Sequence, residues 1–209
     1  ASGITTVLDA IRIGLDENSD MGASEMQTLA DAIAAGTRAG RLRAEHFIHL
    51  RCEVSAPDCL GSFNLLKTDP QVRLASLMDH APGQRQFASL EAYKTYYQGK
   101  LKMTDAQLDA FSARRNAESQ SHAGPFRRAI ADACNELGIV LASHDDATRD
   151  HVEEAVRLGI DIAEFPTTLE AAKASRQAGM AILMGGPNVV RGGSHSGNVS
   201  ARELAEADL

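Results

Sequence analysis

The sequence has no apolar run approaching the roughly 18 residues that read as a transmembrane helix, and it opens on Ala-Ser-Gly-Ile without a basic and apolar leader. It holds only three cysteines, Cys52, Cys59 and Cys134. That odd number, without zinc-finger spacing, reads as reduced thiols in a cytoplasmic protein. Basic residues are not in excess: 21 lysines and arginines face 28 acids, for a formal net charge of -7. Such a balance argues against a nucleic-acid partner, although a local basic cluster can still hold phosphates. There is no G-x-G-x-x-G, so the dinucleotide fingerprint of a doubly wound sheet is missing.

What is present is ordinary for a globular domain: 209 residues, 44% hydrophobic and 23% charged. From residue 125 onward the pattern is regular. Helical stretches at 125–137, 147–158 and 169–178 alternate with short apolar runs at 139–144, 160–165 and 180–184, and each helix ends in LG or AG, a glycine that closes the helix and feeds a strand. Earlier runs at 3–9, 45–53 and 71–80 bring the expected strands to six. Repeated βα units predict a parallel sheet with helical crossovers. The distal strand ends carry Asp9, Glu53, His80, His144, Glu164 and Asn188. Chemistry spread over many strand ends predicts an α/β fold of the (β/α)8 TIM-barrel type, with residues 1–209 forming one partial barrel domain of about six units. Six strands fall two short of closure, and the chain starts on a strand and stops in a helix, so it reads as an internal segment of a longer protein.

Between the third and fourth strands lies an insertion at about 81–124 with two helical patterns, 90–98 and 104–120, the second opened by a Thr104–Gln107 capping box. It is expected either to lid a site or to be a solvated excursion. A further capping box is read at Ser24–Gln27. In the second strand, alternation separates Ile48, Leu50 and Cys52 from Phe47, His49, Arg51 and Glu53, and the second set is too polar for a plain core. The loop Gly185–Asn198 combines glycines with Asn188, Arg191, Gly192, Gly193, Ser194, His195 and Ser196. It is followed by a Ser200–Glu203 capping box, which suits an anion such as phosphate. Arg51 and Arg85 are further phosphate candidates. His46, His122 and His151 read as surface residues.

The strings GITTVLDAI, HLRCE, SLMDHAPGQRQF, YYQGK, LASHDDAT, AEFPTTLEAA and MGGPNVVRGGSHSGN resemble the diphosphatases of bacterial phosphonate catabolism, metal-dependent members of the amidohydrolase superfamily. The resemblance runs over essentially the whole chain. It implies a hydrolase that cleaves the 5-triphosphate of a ribose 1-methylphosphonate to the 5-phosphate and pyrophosphate. It also implies a divalent metal (Zn, Mn or Fe, one or two ions), with a first-strand histidine motif and a last-strand aspartate that this sequence does not contain. Imidazole and carboxylate groups that leave a position open for water are what such a metal needs. Glu53, His80 and His144, each ending a different strand, are the expected ligands, with His144 and Glu164 as catalytic residues. Glu164 is either a fourth ligand or a buried acid paired to Arg191. Asp145 and Asp146 are expected to cap a helix and to support His144. The expected partners are the phosphorylated sugar phosphonate and further copies of the chain, with no membrane. Hydrolysis of a C–N bond, or a fragment that only binds phosphate or self-associates, are the alternatives.

Overall fold

The computed structural model describes residues 3–14, 22–85, 103–194 and 197–209. Six strands, β1 (Thr6–Ile13), β2 (Glu45–Glu53), β3 (Val72–Met78), β4 (Val140–His144), β5 (Ile162–Glu164) and β6 (Ala181–Leu183), form one sheet in the order 1-2-3-4-5-6. Every neighbouring pair is parallel. Among the described strands the order never reverses, so they form no switch point of the doubly wound kind. Among the described residues the helices are α1 (Ala23–Arg38), α2 (Cys59–Leu66), α3 (Asp105–Leu137), α4 (Arg149–Arg157), α5 (Leu169–Gln177), α6 (Gly186–Arg191) and α7 (Ala201–Glu206).

Period-2 alternation sorts each strand into two faces. Ile11, Ile13, Ile48, Leu50, Cys52, Ala75, Leu77, Leu141 and Ala163 join one buried cluster with Met26 and Ala30 of α1, Phe63 and Leu66 of α2, Ile130 and Cys134 of α3, Val152 of α4 and Ala171 of α5. All three cysteines are buried in it as free thiols. The opposite face carries His49, Arg51, Ser76, His144 and Glu164, and towards its base and edges Leu8, Val140 and Leu183 remain 46%, 41% and 43% exposed. Parallel sheets are normally covered on both faces, so this side has the composition of one that another layer or its own curvature would cover.

Three local expectations need correction. β1 runs to Ile13 rather than stopping at Asp9, because Arg12 and Ile13 continue the ladder with Arg51 and Cys52. Asp9 is therefore mid-strand, where its carboxylate meets His46 Nδ1 at 2.7 Å. The Ser24–Gln27 capping box does not form: Gly22 is the N-cap of α1 with no side-chain cap bond, and Ser24 donates to Glu25 instead. Finally, the helix expected to begin at Pro125 is continuous with the one before it, giving 33 residues of α3 capped by Thr104–Gln107. Proline removes a helical hydrogen bond. Here an uninterrupted buried stripe of Leu108, Phe111, Arg115, Ser119, Ala123, Arg127 and Ile130 holds the helix through it. The pattern at 90–98 lies outside the described residues, and no described helix is long and apolar enough to cross a membrane.

Candidate active site

Parallel strands in register bring their C-terminal ends to one rim, and β2 to β5 deliver the functional groups there. Glu53 is the last residue of β2 and fully buried. Its carboxylate accepts from the His80 backbone N–H at 2.9 Å, from Ser55 Oγ at 2.7 Å and from His80 Nδ1 at 2.5 Å. Arg115 of α3 approaches it at 3.5 Å and Arg12 of β1 at 3.6 Å. Burial works against a charged Glu53, but His80 and these donors hold it well below the ordinary carboxylate range. Burial likewise works against a charged His80. The Glu53 carboxylate, together with Asp145, overrides it and raises the imidazole pKa to about 9. The electrostatics of this corner therefore favour a positive charge.

A second clamped histidine stands beside the first. His144 Nδ1 lies 2.8 Å from Glu164 Oε2, an oxygen that also accepts from Ser76 Oγ at 2.7 Å. The serine proton goes to that carboxylate, so the serine oxygen accepts from His49 Nε2 at 2.5 Å. Burial, reinforced by Arg51 and His144, lowers His49 to about 4 against the pull of Glu164, so His49 is neutral near pH 7. The hydrogen bond from His144 leads the effects that overcome burial and lower Glu164. Glu164 thus pairs with His144 and Ser76, and not with Arg191, which sits exposed at the end of α6. The rings of His80 and His144 meet edge to face, 5.5 Å between centroids.

With both Nδ1 atoms engaged by carboxylates, the two Nε2 atoms point to a common place. Asp145 Oδ2 lies 3.7 Å from His80 Nε2 and 3.6 Å from His144 Nε2. One donor atom from each of His80, His144 and Asp145 falls within 4.8 Å of the others, a set that could hold a metal ion. Asp145 was expected, with Asp146, to cap a helix or to support His144, whereas strict alternation along an extended strand would turn it away from His144. The backbone breaks that rule: Asp145 takes φ 56, the left-handed region, and swings its carboxylate round beside the imidazole. Aspartate is among the few side chains that tolerate this conformation, which is the one sequence signal that could have found it. Phe165 repeats the device after β5, with φ 57, and its ring packs against His144 at 5.4 Å.

A cavity of about 360 Å³ opens from this cluster, lined by Arg51, His144, Asp145, Phe165, Asn188 and Ser194 among others. Arg51 Nη2 comes within 3.5 Å of His144 Nε2. Of the phosphate candidates, then, Arg51, Asn188 and Ser194 face the cavity. Asn188 also accepts from the Ala201 N–H at 3.0 Å, which fixes the start of α7. Arg191, Gly192 and Gly193 lie at the end of α6 and beyond it, and they do not line the cavity; His195 and Ser196 lie outside the described residues. Arg85 is elsewhere: its guanidinium is buried and engaged by Asp146 on one side and Glu154 on the other. Asp146 is thus tied to Arg85, while the helix cap expected in this region is supplied by Thr148. Sequence reading also missed Arg115 and Ser119, which α3 sends down to Glu53 and to Asp79. The three histidines read as surface residues are only partly exposed.

No family model matches the chain. Over all 209 residues the chain is 51% identical to the alpha-D-ribose 1-methylphosphonate 5-triphosphate diphosphatase of Escherichia coli (strain K12), and it spans 55% of that protein's length.

Proposed function

We propose that the protein is a metal-dependent hydrolase of phosphoanhydride bonds, acting on a ribose 1-methylphosphonate 5-triphosphate and releasing pyrophosphate. The observation that carries this reading is the pair of histidines at adjacent strand ends. Each gives Nδ1 to a buried carboxylate and turns Nε2 to the shared Asp145 oxygen. Carboxylate-clamped imidazoles are how proteins fix the tautomer and aim of metal ligands. The identity to the curated diphosphatase supplies the substrate class.

In this reading His80 and His144 hold a divalent cation through Nε2, with the Asp145 and Glu53 carboxylates completing the negative surroundings. Glu164 positions His144. When bound, the cation supplies Lewis acidity and lowers the pKa of water. The chain's own residues do the rest. Arg51, Asn188 and Ser194 bind phosphate oxygens in the cavity. Arg191 and the glycine-rich residues 192–197, with His195 and Ser196 among them, offer a guanidinium and backbone N–H groups to the departing pyrophosphate. His49, neutral and bonded to Ser76, keeps Glu164 in place. Phe165 walls His144 from water.

The same reading extends to architecture. Sequential strand order, helices on one face and a polar opposite face with partly exposed Leu8, Val140 and Leu183 suit six strands of a (β/α)8 barrel of the amidohydrolase type. Residues 1–209 then form a single barrel domain with the α3 region inserted.

The test is a product assay. Purified protein carrying this chain, loaded with Zn, Mn or Fe, is expected to release pyrophosphate from the sugar triphosphate and no orthophosphate. Release of ammonia or a carboxylic acid from an amide panel, with no pyrophosphate, would sink the reading. Elemental analysis of His144→Ala is expected to show the metal lost; full retention would remove His144 from the ligand set.

A further inference from the structure

The most unusual side chain outside the candidate site is Arg127, on the buried stripe of α3. The residue is 8% exposed, yet its Nε and Nη2 have no hydrogen-bond partner. Among the described residues its one ion pair is with Glu154 Oε1, 3.6 Å from Nη1, and Glu154 spends its other oxygen on Arg85. Burial lowers the Arg127 pKa first, and the nearby charge of Arg85 lowers it further. A buried guanidinium with idle donors is costly to a fold unless a ligand uses them.

A groove meets it. Between the middle of α3 and the C-terminal half of α4 lies a cavity of about 670 Å³, lined by Gly124, Pro125, Arg127, Arg128, Glu154, Arg157 and Leu158. Three arginines against one glutamate leave a formal lining charge of +2. Arg128 and Arg157 are exposed and stand at its mouth, with Arg127 beneath. At Gly124 a Cβ would meet nothing within 4 Å, so the space beside this wall is open. In a chain of net charge -7 this is a local reversal of sign, and forked guanidinium donors are the groups that grip phosphate oxygens in pairs.

We propose that the groove between α3 and α4 is a second anion site, separate from the strand-end cluster, in which Arg127, Arg128 and Arg157 bind a phosphate group. The shared chemistry is a phosphate oxyanion, whether free or carried on a small metabolite. Binding would give Arg127 the acceptors it lacks. It would also draw Arg127 away from Glu154, which connects through Arg85 to Asp146, next in sequence to Asp145.

Isothermal titration of the intact protein with inorganic phosphate, then with pyrophosphate and a sugar monophosphate, in excess chloride, tests the site and separates the sources. Saturable binding is expected, weakened about tenfold or more in the exposed double variant Arg128→Ala/Arg157→Ala and unchanged in Arg41→Ala, an exposed arginine outside the groove. A second measurement uses Arg127→Met, which keeps the bulk and deletes the charge: its melting temperature should no longer rise with phosphate as the parent's does. The site is refuted if no anion binds, if the double variant binds as the parent does, or if Arg41→Ala weakens binding as much as the double variant.

Discussion

The two faces of β2 show how one stretch of chain serves two purposes. Ile48, Leu50 and Cys52 point to the helices and are wholly buried in the apolar cluster. One residue out of step, His49, Arg51 and Glu53 point the other way and make polar contacts with Ser76, His144, His80, Ser55, Arg115 and Arg12. The outer set is held by the removal of apolar area from water, which is tolerant of shape. The inner set is held by mutual satisfaction of charges and donors, which is not. Substitutions on the two faces should therefore fail differently.

The largest effect is expected from Glu53→Ala. It strips a buried carboxylate from His80, Arg115 and Arg12 together, and should cost about 3 to 5 kcal/mol in denaturant unfolding. Leu50→Ala, one face over, should cost about 3 kcal/mol through an apolar cavity. Its metal content should match the parent's, and a loss of metal there would erase the distinction between the faces.

His49 gives a contrast in pH. Its folded pKa, about 4, lies below its ordinary value of 6.5. The unfolded chain therefore takes up the proton first, and the stabilisation is complete above about 6.5 and lost as pH falls toward 4. On the order of 2 kcal/mol should disappear across that window, and His49→Gln should flatten that part of the stability curve. The smallest effect is Thr104→Ala, which removes the capping box of α3 far from either face and should cost about 1 kcal/mol in thermal unfolding with no change in pyrophosphate release.

Much of this was legible from residue order. The bounds of β2 and the two-faced pattern within it followed from alternation, and the clustering of Glu53, His80, His144 and Glu164 followed from their places at parallel strand ends. Asp145 was legible only as a cap or a support for His144; its reach to both Nε2 atoms was not, because period-2 reasoning holds only while φ stays extended, and the left-handed turn after His144 reverses its direction. Nor was α3. Its buried stripe carries Arg115, Ser119 and Arg127 where an apolar pattern would be sought, and Gly124-Pro125 imitates a boundary. Arg85 was misjudged for a related reason: an arginine near a strand end suggests a ligand, and only tertiary proximity reveals that Asp146 and Glu154 already claim it.

The strictly sequential strand order has a consequence for assembly kinetics. Among the described residues, each strand pairs with its neighbours in sequence and with no other. Most pairings therefore close short loops, and the chain can zip from any unit outward without waiting for its ends to meet. The exception is the long span between β3 and β4, where α3 intervenes. That junction joins the half holding His80 to the half holding His144, so the histidine pair can come together only after the slowest closure in the sheet.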